Sequence, residues 1–298
     1  MNSFLISFCN NRKNKSSDRK SGLLGLITLK NKHLTYTDIC LECEEFDEIN
    51  GITGLAQCND YYYLAAQSKH SKLLVLNKQF ELIHCLSLEP IKGAHSVLYN
   101  NGNLYLVATK QDRVVKYNFN KGIRAGINAG FETVFEIGTL ADTHHINSIC
   151  MHQGDIIISA FGSKEKEFWM FAEEGYALNI NSNTKLISGL KQPHSLFSYN
   201  NELYVCDSSK KRVIKENGQV ITQVEHGYTR GLYIDDSVLL FGTSKGRVVS
   251  HSQNKYVGNI SDQGILAGES GVTLIQNDQT SHISLQGIAE EVYDIMPV

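Results

Sequence analysis

The chain has 298 residues, enough for two ordinary domains or one closed all-β domain, and 42% hydrophobic with 20% charged residues describes a globular protein with a sizeable core, not a disordered one. A formal net charge of −3 gives no overall pull toward nucleic acid or a membrane surface, and no stretch approaches the ~20 apolar residues that a membrane-spanning helix needs. The seven cysteines, an odd number in a chain with no export signal over Met1–Cys9, read as thiols of a reducing compartment, so a cytoplasmic location is expected.

Residues 4–10 and 23–39 alternate apolar and polar side chains and read as three strands interrupted by a basic loop, Asn11–Lys20. Gly51 opens a unit of four short strands, Ile52–Gln57, Tyr61–Ala66, Lys72–Asn77 and Phe80–Leu88, joined by tight polar turns. The unit then recurs. Aligned on a residue pair, its copies begin at Thr53-Gly54, His95-Ser96, Asn147-Ser148, His194-Ser195 and Arg230-Gly231, and each pair is followed by a second hydrophobic stretch starting at Tyr62, Leu104, Ile156, Leu203 and Leu239.

Four-strand units at roughly 40–50 residues with no helical period are the signature of a β-propeller. Five complete units and an N-terminal piece with only three strands leave one strand missing. Glu291–Pro297 supplies it, since Tyr293-Asp294-Ile295 matches His95-Ser96-Val97. The expectation is therefore an all-β, six-bladed propeller forming one domain over 1–298, with blades at about 4–39 plus 290–298, 51–88, 93–137, 144–190, 192–225 and 227–286. Closing the ring in this way removes the free sheet edges that invite aggregation.

Four motifs in this order, Gly51-Ile-Thr-Gly-Leu55, Pro193-His-Ser-Leu196 with Leu203-Tyr-Val-Cys-Asp207, Gly227-Tyr-Thr-Arg-Gly-Leu232 and Glu290-Glu-Val-Tyr-Asp-Ile295, resemble a bacterial propeller family known only as a domain of unknown function. The resemblance runs from about residue 50 to the end. It implies the fold and carries no catalytic assignment.

In a propeller the first strand of each blade lines the central channel. The six aligned positions are Thr53, His95, Asn147, His194, Arg230 and Tyr293, all polar, whereas the residues two further on are all apolar and are expected to pack between blades. A histidine before an inner strand can simply hold its own blade together. Because the identity changes from blade to blade, a ring around an asymmetric ligand is the preferred reading. Arg230 is the natural clamp for a carboxylate or phosphate, and Asn147, Thr53 and Glu291 complete the ligand-binding set. His95 and His194 are candidates for acid and base, with Tyr293 as a further proton donor. The same histidines with His145 are a lesser candidate for a divalent metal, which no local ligand spacing specifies.

Five turns after second strands carry lysine or arginine: Ser68–Lys72, Lys110–Arg113, Ser163–Lys166, Ser209–Arg212 and Ser244–Arg247. A basic rim of this kind would favour an anionic small molecule or sugar derivative. Trp169, in an acidic insertion, is either a loop over the channel mouth or an anchor for a protein partner. Cys40-Leu-Glu-Cys43 lacks a second pair and reads as coincidence. The expected function is thus binding of an anionic small molecule or sugar derivative, with lyase, isomerase or hydrolase chemistry open. A non-catalytic interaction scaffold is the alternative, and neither nucleic acid nor membrane is an expected partner.

Overall fold

A computed structural model describes residues 2–9, 22–30, 33–41, 49–138, 140–164, 168–246, 249–250, 255–256 and 268–298. The basic loop Asn11–Lys20, Cys43, the Glu165–Lys166 part of the fourth-blade turn and Arg247 lie outside the described residues.

Four blades are consecutive meanders of four antiparallel strands. They are β4 to β7 (Gly51–Gln57, Tyr61–Gln67, Lys72–Asn77, Leu82–Ser87) and β8 to β11 (Ala94–Asn100, Asn103–Ala108, Arg113–Asn118, Glu132–Glu136). Then come β12 to β15 (Ile146–His152, Asp155–Ala160, Gly175–Asn179, Thr184–Leu190) and β16 to β19 (Pro193–Tyr199, Glu202–Asp207, Arg212–Lys215, Val220–Gln223). The sixth blade, β20 (Tyr228–Ile234), β21 (Leu239–Ser244), β24 (Gly271–Gln276) and β25 (Gln279–Ser284), has a small hairpin inserted after β21, β22 (Val249–Ser250) with β23 (Lys255–Tyr256). The first blade is assembled from both ends of the chain. Its β1 (Asn2–Cys9), β2 (Leu24–Lys30) and β3 (His33–Asp38) are completed by β26 (Glu291–Pro297), which pairs antiparallel with β1 from Phe4↔Pro297 to Cys9↔Glu291.

One element departs from the sequence expectation. A six-residue helix, α1 (Ile123–Asn128), lies between β10 and β11, where a segment shorter than two turns cannot display a hydrophobic period.

The core follows from strand alternation. Six apolar clusters each fill one gap between neighbouring blades, and each takes one of the six apolar residues two beyond the ring position: Leu55, Val97, Ile149, Leu196, Leu232 and Ile295. All six are buried. The blades are also stitched by side chains. Thr109, Ser208 and Ser244, at the same place where the second strand of blades 3, 5 and 6 ends, each donate a hydroxyl hydrogen to the carbonyl that precedes the ring residue of the next inner strand, Ile146 (2.6 Å), Thr229 (2.7 Å) and Val292 (2.9 Å).

The serines of the recurring pair do similar work. Ser148 Oγ accepts from the Leu196 N–H at 3.3 Å, Ser195 Oγ from Gly231 at 2.8 Å, and Asp294 Oδ2 from Leu55 at 2.9 Å. Where the pair carries glycine, the next blade comes too close for a side chain: a Cβ on Gly54 would sit 2.8 Å from Ser96 Cα.

Candidate functional site

Every inner strand breaks register at the recurring pair. The bulge leaves out Thr53 in blade 2, His95 with Ser96 in blade 3, Asn147 in blade 4, Ser195 with Leu196 in blade 5, Gly231 in blade 6 and Tyr293 in blade 1. A bulge releases a residue from strand alternation and re-aims its side chain. In blades 1 to 4 the released residue is the polar ring residue itself, whereas in blades 5 and 6 His194 and Arg230 stay paired and the residues after them are released.

At the start of these strands five of the expected site residues meet. Tyr293 is central: its ring centroid lies 5.4 Å from His95 and 6.2 Å from His194, and the Arg230 guanidinium lies 5.4 Å from it. Arg230 Nη1 is 3.3 Å from Glu291 Oε2. His145 joins from the chain just before β12, 5.4 Å from His95 edge to face. The backbone there is left-handed, φ 54°, at a place where blade 3 has Gly93 (φ 67°). A non-glycine residue in this conformation costs about 1–2 kcal/mol, and such strain is held where a side chain must be aimed.

Hydrogen bonds assign the ring nitrogens. The Gln192 carbonyl can only accept, so His194 carries its proton on Nδ1 (2.9 Å) and keeps the Nε2 lone pair. The Gln67 amide donates to His95 Nδ1 at 3.0 Å, which leaves the proton of His95 on Nε2. His145 Nδ1 donates to Asp142 Oδ1 at 2.9 Å, and Trp169 Nε1 donates to Asp142 Oδ2 at 3.0 Å. The sequence reading missed Asp142, whose three-residue spacing from His145 was its only local signal.

Burial, reinforced by the neighbouring His145 and Arg230, holds His95 well below the usual imidazole range, although Asp142 pulls the other way. Burial and then Arg230 do the same for His194. Burial also lifts the Tyr293 phenol well above its ordinary value, and Arg230 opposes this. Burial alone would raise Asp142, but the hydrogen bonds from His145 and Trp169 bring it below its ordinary value. At neutral pH the cluster therefore holds neutral His95 and His194, a protonated phenol, an ionised Asp142 and an Arg230–Glu291 pair. The Tyr293 hydroxyl and Arg230 Nε are buried and make no hydrogen bond within the described residues.

Three residues mark this region by departing from the stitching pattern. At the position of Thr109, Ser208 and Ser244 the other blades carry Gln67, Phe161 and Cys9. Gln67 holds His95; Phe161 lies 4.5 Å from His145 and 5.3 Å from His194; the Cys9 thiol donates to Glu291 at 3.5 Å. Sequence reasoning overlooked all three, because an exception shows only when its rule is known.

Other expectations come out differently. Thr53 donates to the Ala94 carbonyl at 2.7 Å, so its hydroxyl joins two blades. Asn147 does not join the histidines through any ring or hydrogen-bond contact and instead lines a cavity together with Tyr293. Among the described residues no three His, Cys, Asp or Glu side chains converge as a metal-ligand set, and Tyr293 contacts both His95 and His194. Part of the basic rim is engaged within the fold: Arg212 pairs with Asp207 at 2.9 Å, Lys210 Nζ donates to the Gly189 carbonyl at 2.7 Å, and Arg113 lies over the Phe131 ring at 5.0 Å. Trp169 packs over the mouth, 5.0 Å from His145, with its carbonyl held by the Gln192 amide at 3.1 Å.

A protein-family match spans residues 91–298. The chain belongs to the DUF4915 family, a domain of unknown function. The matched stretch begins after the Gly51–Leu55 motif and includes His95, His145, His194, Arg230 and Tyr293. No curated protein sequence matches the chain. Among solved structures it is similar to one from a nidogen/laminin complex, with 10% identity, 99% of this chain and 98% of that one covered, and a TM-score of 0.63. A protein of unknown function from Bacteroides caccae is similar at 11% identity, 100% and 98% coverage and a TM-score of 0.58. A candidate 6-phosphogluconolactonase from Bacteroides fragilis is similar at 11% identity, 100% and 98% coverage and a TM-score of 0.55. These likenesses establish the six-bladed propeller, a fold that serves enzymes and binding proteins alike.

Proposed function

We propose that the protein binds a small molecule bearing a carboxylate or carbonyl oxygen, such as a sugar acid, where the inner strands begin, and that it moves a proton on that ligand. The observation that carries this reading is the pair of buried donors, Arg230 Nε–H and the Tyr293 hydroxyl, one histidine ring, His95, away from the His145–Asp142 dyad and without an acceptor of their own. A buried polar group left unpaired costs about 1–3 kcal/mol, which a ligand oxygen accepting from both would recover.

Glu291 balances the charge of Arg230, so recognition rests on directed donors more than on a positive field. His145, oriented by Asp142, is the candidate base for a proton next to the polarised carboxyl or carbonyl group, as lyase or isomerase chemistry requires. Neutral His95 presents an N–H and neutral His194 a lone pair, giving one donor and one acceptor for ligand hydroxyls.

The test has two parts. Calorimetric titration with gluconate and glucuronate, against glucose as a control lacking the carboxylate, should show binding that Tyr293→Phe weakens about tenfold, the value of one hydrogen bond to a charged oxygen. Incubation in D2O with NMR detection should show deuterium entering next to the carboxylate, and Asp142→Asn should slow that exchange. Binding that survives both Tyr293→Phe and Arg230→Lys would sink the assignment.

The scaffold alternative keeps one specific support: Phe171, beside Trp169, is 43% exposed. Loss of partner capture in Phe171→Ser, with sugar-acid binding absent in the parent protein, would favour it.

A further inference from the structure

Tyr293 also lines a cavity of about 250 Å³ walled by the inner strands. Its girdle is the set of aliphatic residues already met between blades, Leu55, Val97, Ile149, Leu196, Leu232 and Ile295. Most of its polar lining is engaged. Ser148 bonds Ser159 at 2.6 Å and the Leu196 N–H, Ser195 the Gly231 N–H, Thr53 the Ala94 carbonyl, and the Asp294 carboxyl the N–H groups of Leu55 and Ile295. Asn147 is an exception, as is the Ser96 hydroxyl. Only 1% exposed, Asn147 lines the cavity with Nδ2 making no hydrogen bond, and Tyr293, whose hydroxyl is likewise unpaired, lines the cavity with it.

We infer that this cavity is a binding site in its own right for a compact, uncharged molecule with an apolar body and a single accepting oxygen. The chemistry follows from the walls. Six aliphatic side chains offer a sugar ring no hydrogen bonds, so a polyhydroxylated ligand would lose its hydration without compensation. An apolar ring or branched chain meets complementary surface there. The volume corresponds to about eight water molecules at ~30 Å³ each, room for a small ring or short chain. The free Asn147 Nδ2 donor asks for one acceptor. The Asp294 carboxyl disfavours an anion, and burial, opposed by its two backbone hydrogen bonds, pushes it up to about 7, so it is partly neutral at physiological pH.

The inference does not rest on the proposed chemistry at the histidines, and it is tested with probes that separate the two. Saturation-transfer NMR and titration with cyclohexanone, beside myo-inositol and cyclohexanecarboxylate of similar ring size, should show cyclohexanone binding at least tenfold more tightly than either. Asn147→Val should weaken it about tenfold, and Ile149→Trp, which fills the cavity, should abolish it. His194→Ala should leave it unchanged while affecting sugar acids. If Ile149→Trp does not fold, Leu98→Trp blocks the same space from a partly exposed wall. Equal or tighter binding of inositol, binding that persists in a folded cavity-filling variant, or no binding of cyclohexanone at all would each overturn the inference.

Discussion

At the scale of single residues the site differs from the rest of the molecule by what is left unmade. Tyr293 has a buried hydroxyl with no partner, and removing it should therefore not harm the fold. Tyr293→Phe is expected to unfold at the same or a higher temperature, by up to about 1 kcal/mol, while ligand binding weakens. A structural tyrosine would give the reverse, lower stability with binding intact.

The histidines make a prediction about pH. His95 and His194 have folded-state values well below their ordinary 6.5, so below that pH the unfolded chain binds more protons than the folded one. Stability should fall as pH drops below about 6.5, more steeply in the parent than in His194→Gln. Asp294 acts in the opposite sense. Its folded value of about 7 lies above the ordinary 3.8, so its contribution is complete at low pH and is lost as pH rises toward 7. Chemical denaturation of the parent, His194→Gln and Asp294→Asn between pH 4 and 8 separates the two slopes. Parallel curves would show that neither group is shifted.

At the scale of the strand the important unit is the bulged start of each inner strand. It aims one residue at the axis and hands the next to the neighbouring blade, so one dipeptide serves both site and fold. Gly54 is small because Ser96 Cα and Val97 N would each lie 2.8 Å from an added methyl, and both are backbone atoms that cannot turn aside. Gly54→Ala should destabilise the protein by about 1–3 kcal/mol, the range of overpacked cores. Thr109→Val, which removes one stitch to Ile146, should cost about 1 kcal/mol. Urea midpoints measure both, and a smaller effect for Gly54→Ala than for Thr109→Val would contradict the packing argument.

At the scale of the whole molecule the ring is held by the pairing of β26 with β1, which joins the two ends of the chain in one blade. β26 also carries Glu291, Tyr293 and Asp294, so closure and site formation are one event. A chain ending at residue 289 should lose both, exposing the edge of β1 to pairing with other copies. Size-exclusion chromatography should show larger species or aggregate than the parent chain gives, and a synthetic 290–298 peptide added during refolding should restore the parent's elution. A truncated chain that elutes as the parent does with unchanged thermal stability would show that the ring does not depend on this strand.

Strand alternation, the recurring residue pair and the missing fourth strand of the first blade are local patterns, and from them the sequence alone determined the propeller, its six blades and their closure. The apolar residues two beyond each pair were legible for the same reason, since the pleat sends them between blades wherever the strand is placed. Proximity across the channel is not local. That Gln67 holds His95, that Phe161 reaches His194, that Arg230 is matched by Glu291, and that Thr53 is tied to Ala94 depended on the packing of one blade against the next. The repeat dictated what each blade resembles; only the closed ring decided which exceptions face one another.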